Sequence, residues 1–259
     1  MFKPCILVPV YDHAGAIGSV VEQLRPFGLH CWLIDDGSNA HCQATLKEIA
    51  AREASWLSLL RLEQNSGKGA AMMLGFGAAT KAGYSHGLQV DADGQHDTRS
   101  IRELLDNARA HPKALVTGIP IYGDDVPKAR LYGRYLTHVW LWINTRSLAI
   151  RDSMCGFRVY PLEPSLAVMR EEPVGLRMEF DTEIAVRLYW RGVSVVNVPT
   201  PVAYPADGVS HFRMGRDNLR ISAMHTRLFV TMLTRLMARS LGWGLPLLRP
   251  RALPSNRKN

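Results

Sequence analysis

The chain holds only four cysteines, with neither a C-x-x-C pair nor the ligand spacing of a zinc site. Cys5, Cys31, Cys42 and Cys155 therefore read as free thiols in a reducing compartment, and a cytoplasmic protein is expected. No uninterrupted apolar run approaches the ~20 residues that span a bilayer. Met1-Phe2-Lys3-Pro4-Cys5 leads directly into a strand pattern without the regions of a signal peptide. Acidic residues are scarce at one end of the chain. Residues 207–259 carry 10 Lys/Arg against 2 Asp/Glu, whereas residues 1–110 carry 10 against 12. The formal net charge of +8 thus belongs to the C-terminal tail and points to an anionic surface. No nucleic-acid motif accompanies that charge, so a membrane surface, not nucleic acid, is the expected partner. Two nucleotide-binding signatures are also missing. Gly67-Lys68-Gly69 lacks the earlier Gly and the following Ser/Thr of a P-loop. Gly75-Phe76-Gly77 lies inside a helical stretch instead of at a strand-to-helix turn, so those glycines read as allowing close helix-to-sheet packing.

What is present is the material of a globular protein. At 259 residues, 47% hydrophobic and 21% charged, the chain fits one large or two small domains with a real core. Ile6-Leu7-Val8-Pro9-Val10-Tyr11 and Cys31-Trp32-Leu33-Ile34 are continuously apolar, the pattern of strands buried on both faces. Helical stretches at about 14–24, 40–54 and up to about Ala82 alternate with a third strand at 57–62 and a fourth ending at Val90. Residues 1–120 therefore predict a doubly wound, mostly parallel α/β sheet flanked by helices. Ligands of such sheets sit at the carboxyl ends of the strands. Tyr11, Asp35, Asp36, Lys68, Asp91 and Asp93 all fall at or just past those ends. Asp91-Ala92-Asp93-Gly94 is the centre of the pattern: two carboxylates one residue apart, at a strand end that Gly94 turns. Paired carboxylate oxygens suit Mg²⁺ or Mn²⁺, which takes its other ligands from substrate phosphates.

The second half is less regular. A helix with Arg130, Arg134 and Arg146 is expected within 126–146. A turn at Asp152–Phe157 leads into a short strand, a helix runs from about Glu179 to Arg191, and another strand covers 193–198. The acids at 179–183 also suit the positive end of a helix dipole. From Arg216 a helix is expected to about Arg239. Arg216, Arg220, Arg227, Arg235 and Arg239 fall within about 140° of one another on it. Leu219, Phe229, Val230, Met232, Leu233, Leu236 and Met237 lie opposite, with Met224 and Leu228 as exceptions. Such a helix either lies in a membrane interface or packs on its own domain, and both readings stand. Residues 241–259, rich in Pro and Arg, read as a disordered tail.

Taken in order, Val8-Pro9-Val10-Tyr11-Asp12, Asp35-Asp36-Gly37-Ser38, Asn65-Ser66-Gly67-Lys68-Gly69, Asp91-Ala92-Asp93-Gly94-Gln95-His96, Asp152 with Gly156-Phe157-Arg158, and Glu179-Phe180-Asp181-Thr182-Glu183 resemble the motifs of family 2 glycosyltransferases with the GT-A fold. The likeness runs from about Ile6 to Ile221 and is strongest to the branch containing the dolichyl- and polyprenyl-phosphate sugar synthases. It implies a GT-A domain over 1–215, with a nucleotide-sugar half to residue 120 and an acceptor half from 121. The basic amphipathic helix then covers 216–240. It implies a nucleotide-diphosphate sugar donor, with Pro9, Tyr11, Asp35 and Asp36 on base and ribose and Lys68 approaching the nucleotide. Asp91 and Asp93 would organise the metal on the diphosphate, with Gln95 beside it. Asp12 departs from the Asn common in the family. The family's base position falls on Asp181, with Glu179 as its neighbour. A hydroxyl acceptor needs such a base. A lipid phosphate, ionised near neutral pH, needs cationic steering instead, and Arg130, Arg134, Arg158, Ser210 and Arg213 are the expected holders. The basic tail favours a lipid or polyprenyl-phosphate acceptor at the inner face of the plasma membrane. A soluble or carrier-bound hydroxyl acceptor is the alternative.

Two other classes compete. Haloacid-dehalogenase-like phosphatases also place D-x-D at a strand end, but on the first strand and with Thr or Val where Gln95 stands here. A non-catalytic, membrane-binding relative explains the tail but not five motifs at strand ends.

Overall fold

The computed structural model describes residues 1–122, 128–202 and 214–241. In the first half, strands and helices alternate: β1 (Pro4–Val10), α1 (Ala14–Leu24), β2 (Cys31–Asp35), α2 (Ala40–Arg52), β3 (Leu57–Arg61), α3 (Lys68–Lys81), β4 (His86–Gln89) and α4 (Ile101–Ala110). The second half supplies β5 (Leu115–Ile121), α5 (Lys128–Thr145), β6 (Arg158–Pro161), α6 (Leu162–Glu171), α7 (Phe180–Trp190), β7 (Val195–Pro201) and α8 (Met214–Ser240). Helix α4, strand β5 and helix α6 have no counterpart in the sequence reading. All seven strands form one sheet in the order β3-β2-β1-β4-β6-β5-β7. The fold is thus mixed α/β, as expected.

Burial on both faces explains the unbroken apolar strands. Ile6, Val8 and Val10 pack with α1, α2 and α4 on one side, while Cys5 and Leu7 pack with α3, α6 and α7 on the other. Successive side chains of a strand alternate sides, so both sets must be apolar. All four cysteines are buried and unpaired. Gly75 works as expected: a Cβ there would stand 2.8 Å from Ile34 Cδ1, so α3 lies directly on the sheet. Gly77 has open space around it and plays no such part.

β6 is the one strand that runs against its neighbours. It pairs antiparallel with β4 and β5, and Arg158 lies opposite Gln89. The start of β6 therefore meets the end of β4, and the Asp152–Phe157 turn is delivered to the D-x-D segment.

Helix α8 packs on the domain through Met224, Leu228 and Met232, which join the second core. Met224 and Leu228, the two residues out of step with the apolar stripe, are thus its anchors. Two of its arginines turn inward. Arg227 Nη2 lies 2.6 Å from the fully buried Glu183, and Arg235 stands 4.6 Å over the Trp190 ring and 3.5 Å from Glu172. Arg187 completes the cluster, 2.6 Å from Glu183. At the seam with α5, burial pushes the pKa of His225 down to about 4, so the ring is neutral beside Trp140. Replacing Glu183 with Gln leaves Arg227 without its counter-charge and Arg187 with Glu172 alone. A loss of about 3–5 kcal/mol in unfolding free energy is expected in urea titrations. A change below about 1 kcal/mol would mean that the cluster adds nothing to holding α8 down.

Candidate active site

Four strand ends and one antiparallel turn converge on the D-x-D segment. Val90 N–H still donates to Leu7 O of β1 at 3.0 Å, after which the chain leaves the sheet. Gly94 turns it at φ +71°, and Gln95 N–H donates to Asp93 Oδ1 at 3.0 Å. Asp91 and Asp93 then face a cleft of about 100 Å³, whose walls include Gln95, His96, Tyr122 and Arg134.

The Lys68 ammonium, at the start of α3, lies 2.8 Å from Asp91 Oδ1 and 2.8 Å from Asp181 Oδ2. Gln89 Nε2 donates to both acids, at 3.2 and 3.4 Å. His96 Nε2 stands 3.5 Å from Asp91 Oδ2, and its ring stacks on Phe157 at 4.8 Å. Burial by itself would raise the Asp91 carboxyl, but Lys68 and His96 outweigh it and hold the pKa far below the ordinary carboxylate range. Burial likewise opposes the Lys68 charge, and Asp181 and Asp91 more than offset it, so the lysine pKa is raised. Gly156 closes the group from the side: a Cβ there would fall 2.3 Å from Asp91 Oδ2 and 2.6 Å from Lys68 Nζ.

The other candidates divide by place. Pro9 and Tyr11 lie half-buried at the end of β1. Asp36 is buried, with both carboxylate oxygens accepting from Gly67 N–H and one from Ser66 N–H. Burial raises its pKa in spite of those bonds. Asp35 is buried too, held by Arg61 and by Ser38 N–H at 2.8 Å. These two acids shape the loops around the cleft and keep their oxygens turned into the protein. Asp12 adopts φ +54° and accepts from Asn39 N–H at 2.8 Å. Asn and Asp are the non-glycine residues most tolerant of that backbone region, which accounts for the Asp where Asn is common.

Arg134 lines the cleft and forks onto Asp152 at 2.6 and 2.7 Å. Asp152 also accepts from the N–H groups of Met154 and Cys155, which fixes the turn. Burial would raise its pKa, but His138 and Arg134 lower it. Arg158 does not reach the cleft. It is fully buried beneath the site, donating to Thr117 Oγ1 at 3.1 Å and to Asp181 O. Arg130 belongs to α5, but its side chain, like the whole of Ser210 and Arg213, lies outside the described residues. The two base candidates are also separated. Asp181 joins Lys68 and Asp91, whereas Glu179 lines a different groove of about 250 Å³ with Arg220 and Arg227.

Sequence reading assigned no role to Gln89, His96 or Asp152. Gln89 was visible as a polar residue between Leu88 and Val90 at the end of a buried strand, and His96 as the last residue of a quoted motif. Among the described residues, no group of three or more His, Cys, Asp or Glu side chains could hold a metal ion. Asp91 and Asp93 do suit a hard cation that keeps most of its ligands on substrate phosphates and water. That a lysine ammonium sits between Asp91 and Asp181 marks the spot as one that favours positive charge.

A largely parallel sheet with one reversed strand, and paired carboxylates at the end of its fourth strand, define a glycosyltransferase of the GT-A type. The chain belongs to glycosyl transferase family 2, whose model matches residues 5–174. It is 25% identical over 231 residues to the polyprenol monophosphomannose synthase of Mycolicibacterium smegmatis, covering 84% of this chain and 83% of that one. It is 23% identical over 214 residues to the UDP-N-acetylglucosamine–dolichyl-phosphate N-acetylglucosaminyltransferase of Methanococcus voltae, covering 77% and 85%. In fold it is similar to the mannosyltransferase PcManGT from Pyrobaculum calidifontis, solved with GDP-Man and Mn²⁺. That match has TM-score 0.58 and 15% identity and covers 95% of this chain and 77% of the other.

Proposed function

We propose that the protein transfers a sugar from a nucleotide-diphosphate donor to a polyprenyl-phosphate or other lipid-linked acceptor, with inversion and with Mg²⁺ or Mn²⁺. The reaction takes place at the cytoplasmic face of a membrane. The observation that carries this reading is the state of Asp181. Its carboxylate is buried against the Lys68 ammonium at 2.8 Å. Its other oxygen accepts from Gln89 Nε2 at 3.4 Å and the residue is only 4% exposed, so neither oxygen is open to the proton of an incoming hydroxyl. An acceptor that arrives already ionised needs no such base, and a phosphate monoester has its second pKa near about 6. The relatives named for polyprenol- and dolichyl-phosphate substrates support the same acceptor class.

The chemistry follows from where charge appears. Cleavage of the bond between the anomeric carbon and the diphosphate leaves negative charge on the nucleoside diphosphate. A divalent cation held by Asp91 and Asp93 would supply Lewis-acid stabilisation of that charge. Lys68 adds a preorganised positive charge on the same side. An acceptor phosphate oxygen attacks the anomeric carbon from the opposite face and keeps no proton to lose. Arg134, on the cleft wall, is oriented by Asp152 to draw that phosphate in, with Arg130, Ser210 and Arg213 as further holders. Arg158 acts from below, holding the Asp181 backbone. Gln95 stands beside the diphosphate, Pro9 and Tyr11 form the nucleotide end, and Asp35 and Asp36 brace its loops from within the protein.

The test is a panel of nucleotide sugars against two acceptors, a short isoprenyl phosphate and the matching isoprenyl alcohol, with Mn²⁺ or Mg²⁺. Transfer to the phosphate alone, with Asp181→Asn losing less than about tenfold in kcat, is the expected result. Transfer to the alcohol, with a loss of about 10³-fold or more in that variant, would replace this reading by a hydroxyl acceptor with Asp181 as base.

A further inference from the structure

Ten of the fourteen large apolar side chains exposed among the described residues lie on α5, on α8 or within three residues of their ends. On α8 they are Leu219, Val230, Leu233 and Met237, followed by Leu241. At 100° per residue these five share one outward side, opposite Met224, Leu228 and Met232. From Leu219 to Leu241, Arg227 is the only charged residue among the exposed side chains described. On α5, Leu136, Trp140 and Ile143 are spaced i, i+4, i+7 on its outward side. Its described basic side chains, Arg134 and His138, are turned inward to Asp152. The two outward sides adjoin: the Trp140 ring stands edge-on to Phe229 at 6.0 Å and stacks on His225 at 6.2 Å.

This arrangement inverts the usual cationic amphipathic helix. Arg227 and Arg235 are spent on Glu183 and Glu172 inside the domain, and the side left outward is apolar and nearly free of charge. A joined face of this kind, on a protein with a core already filled, marks an interaction surface.

We propose that the outward sides of α5 and α8 form one lipid-docking surface, seated on an anionic bilayer leaflet beside the mouth of the cleft. Charge selects this occupant over a second copy of the chain. Two copies of a protein with a net charge of +8, most basic at this end, repel when these ends meet. An anionic leaflet attracts the same charge, through the exposed Arg216 at the start of α8. The sequence after Leu241 continues in the same character, with Trp243, Leu245, Leu247 and Leu248 and then Arg249 and Arg251. Trp140 and Tyr135 are the residue types that settle at a membrane–water boundary. The cleft lies close by, because α5 itself supplies Arg134 to its wall. The inference rests on the lipid-phosphate reading for its purpose, since such an acceptor must be met at a bilayer, and the test separates the two.

Sedimentation of the full chain with vesicles of phosphatidylglycerol and phosphatidylcholine, against phosphatidylcholine alone, reads the docking directly. The variants are Val230→Glu with Met237→Glu on α8, and Leu136→Glu with Ile143→Glu on α5. Wild type is expected to sediment with the anionic vesicles, and each pair of glutamates to lower partitioning on the order of tenfold or more. Turnover of a short, water-soluble isoprenyl phosphate stays within about twofold of wild type, because these exposed side chains touch neither cleft nor core. Wild type left in the supernatant, or variants that sediment as well as wild type, would overturn the proposal. A wild-type dimer that the substitutions dissociate would assign the face to a second copy instead. Vesicle binding without transfer to any isoprenyl phosphate sinks the acceptor reading and leaves the docking surface standing.

Discussion

Asp93→Ala is expected to lower kcat/KM for sugar transfer on the order of 10³-fold, with little effect on the folded structure. Asp91 has both carboxylate oxygens engaged, one by Lys68 and Gln89 and the other facing His96. Asp93 accepts one hydrogen bond, from Gln95 N–H, and otherwise faces the cleft. It is therefore the acid with the most capacity to hold a cation against a diphosphate. Removing one preorganised group that stabilises developing charge costs about 3–4 kcal/mol in related chemistry, which is the source of the expected factor. Calorimetric titration of Mn²⁺ with a nucleoside diphosphate provides a second readout, and its affinity should fall while the unfolding midpoint stays within about a degree or two. An active Asp93→Ala enzyme with unchanged metal–nucleotide affinity would remove the D-x-D segment from the mechanism.

Lys68→Met has the second largest expected effect, and it differs in kind because both activity and stability fall. Without the ammonium, Asp91 and Asp181 face each other across a buried site with only His96 beside Asp91. Breaking a buried ion pair by removing one partner costs about 3–5 kcal/mol, so the unfolding free energy should drop by that amount. Transfer should drop on the order of 10²-fold or more, since the same charge offsets the departing diphosphate. Lys68→Arg should not restore it. The lysine head lies 2.6 Å from where a Cβ on Gly156 would stand, a space that admits an ammonium but not a guanidinium fork. Rescue by arginine to near wild-type activity would mean that charge alone matters and that the tight packing around Gly156 is incidental.

The legibility of the fold and of the site followed the range of the signal. The first two strands announced themselves because burial on both faces forces an unbroken apolar run, and the third and fourth followed from their alternation with helices. Their carboxyl ends then identified Asp91, Asp93 and Lys68 as neighbours. Strand β5 escaped notice because Leu115–Ile121 contains Gly118 and Pro120, which interrupt the apolar pattern. Helix α4 was hidden behind a charged exposed face, and α6 behind Pro161 and Pro164, which break up the helical pattern at its start. The arginines of the second half looked alike in sequence, yet Arg134 reached the cleft wall while Arg158 went beneath the floor. Their difference comes from partners far along the chain, Asp152 for one and the Asp181 backbone for the other.

By itself, the sequence determined the class of fold, the strand-end cluster and the excess of positive charge near the C-terminus. Each of these is local: an unbroken apolar run, a pair of acids one residue apart, a count of charges. Only the tertiary structure decided what the acids and arginines are for. The antiparallel β6 brings the Asp152–Phe157 turn to the D-x-D segment, and α7 brings Asp181 to Lys68. Helix α8 buries Met224 and Leu228 and turns Arg227 and Arg235 onto acids in the core. A helical wheel sorts side chains by angle without saying which angle faces inward, because that depends on charges waiting on another helix. With Glu172 and Glu183 in place, Arg227 and Arg235 turn onto the domain, and Leu219, Val230, Leu233 and Met237 are left facing out.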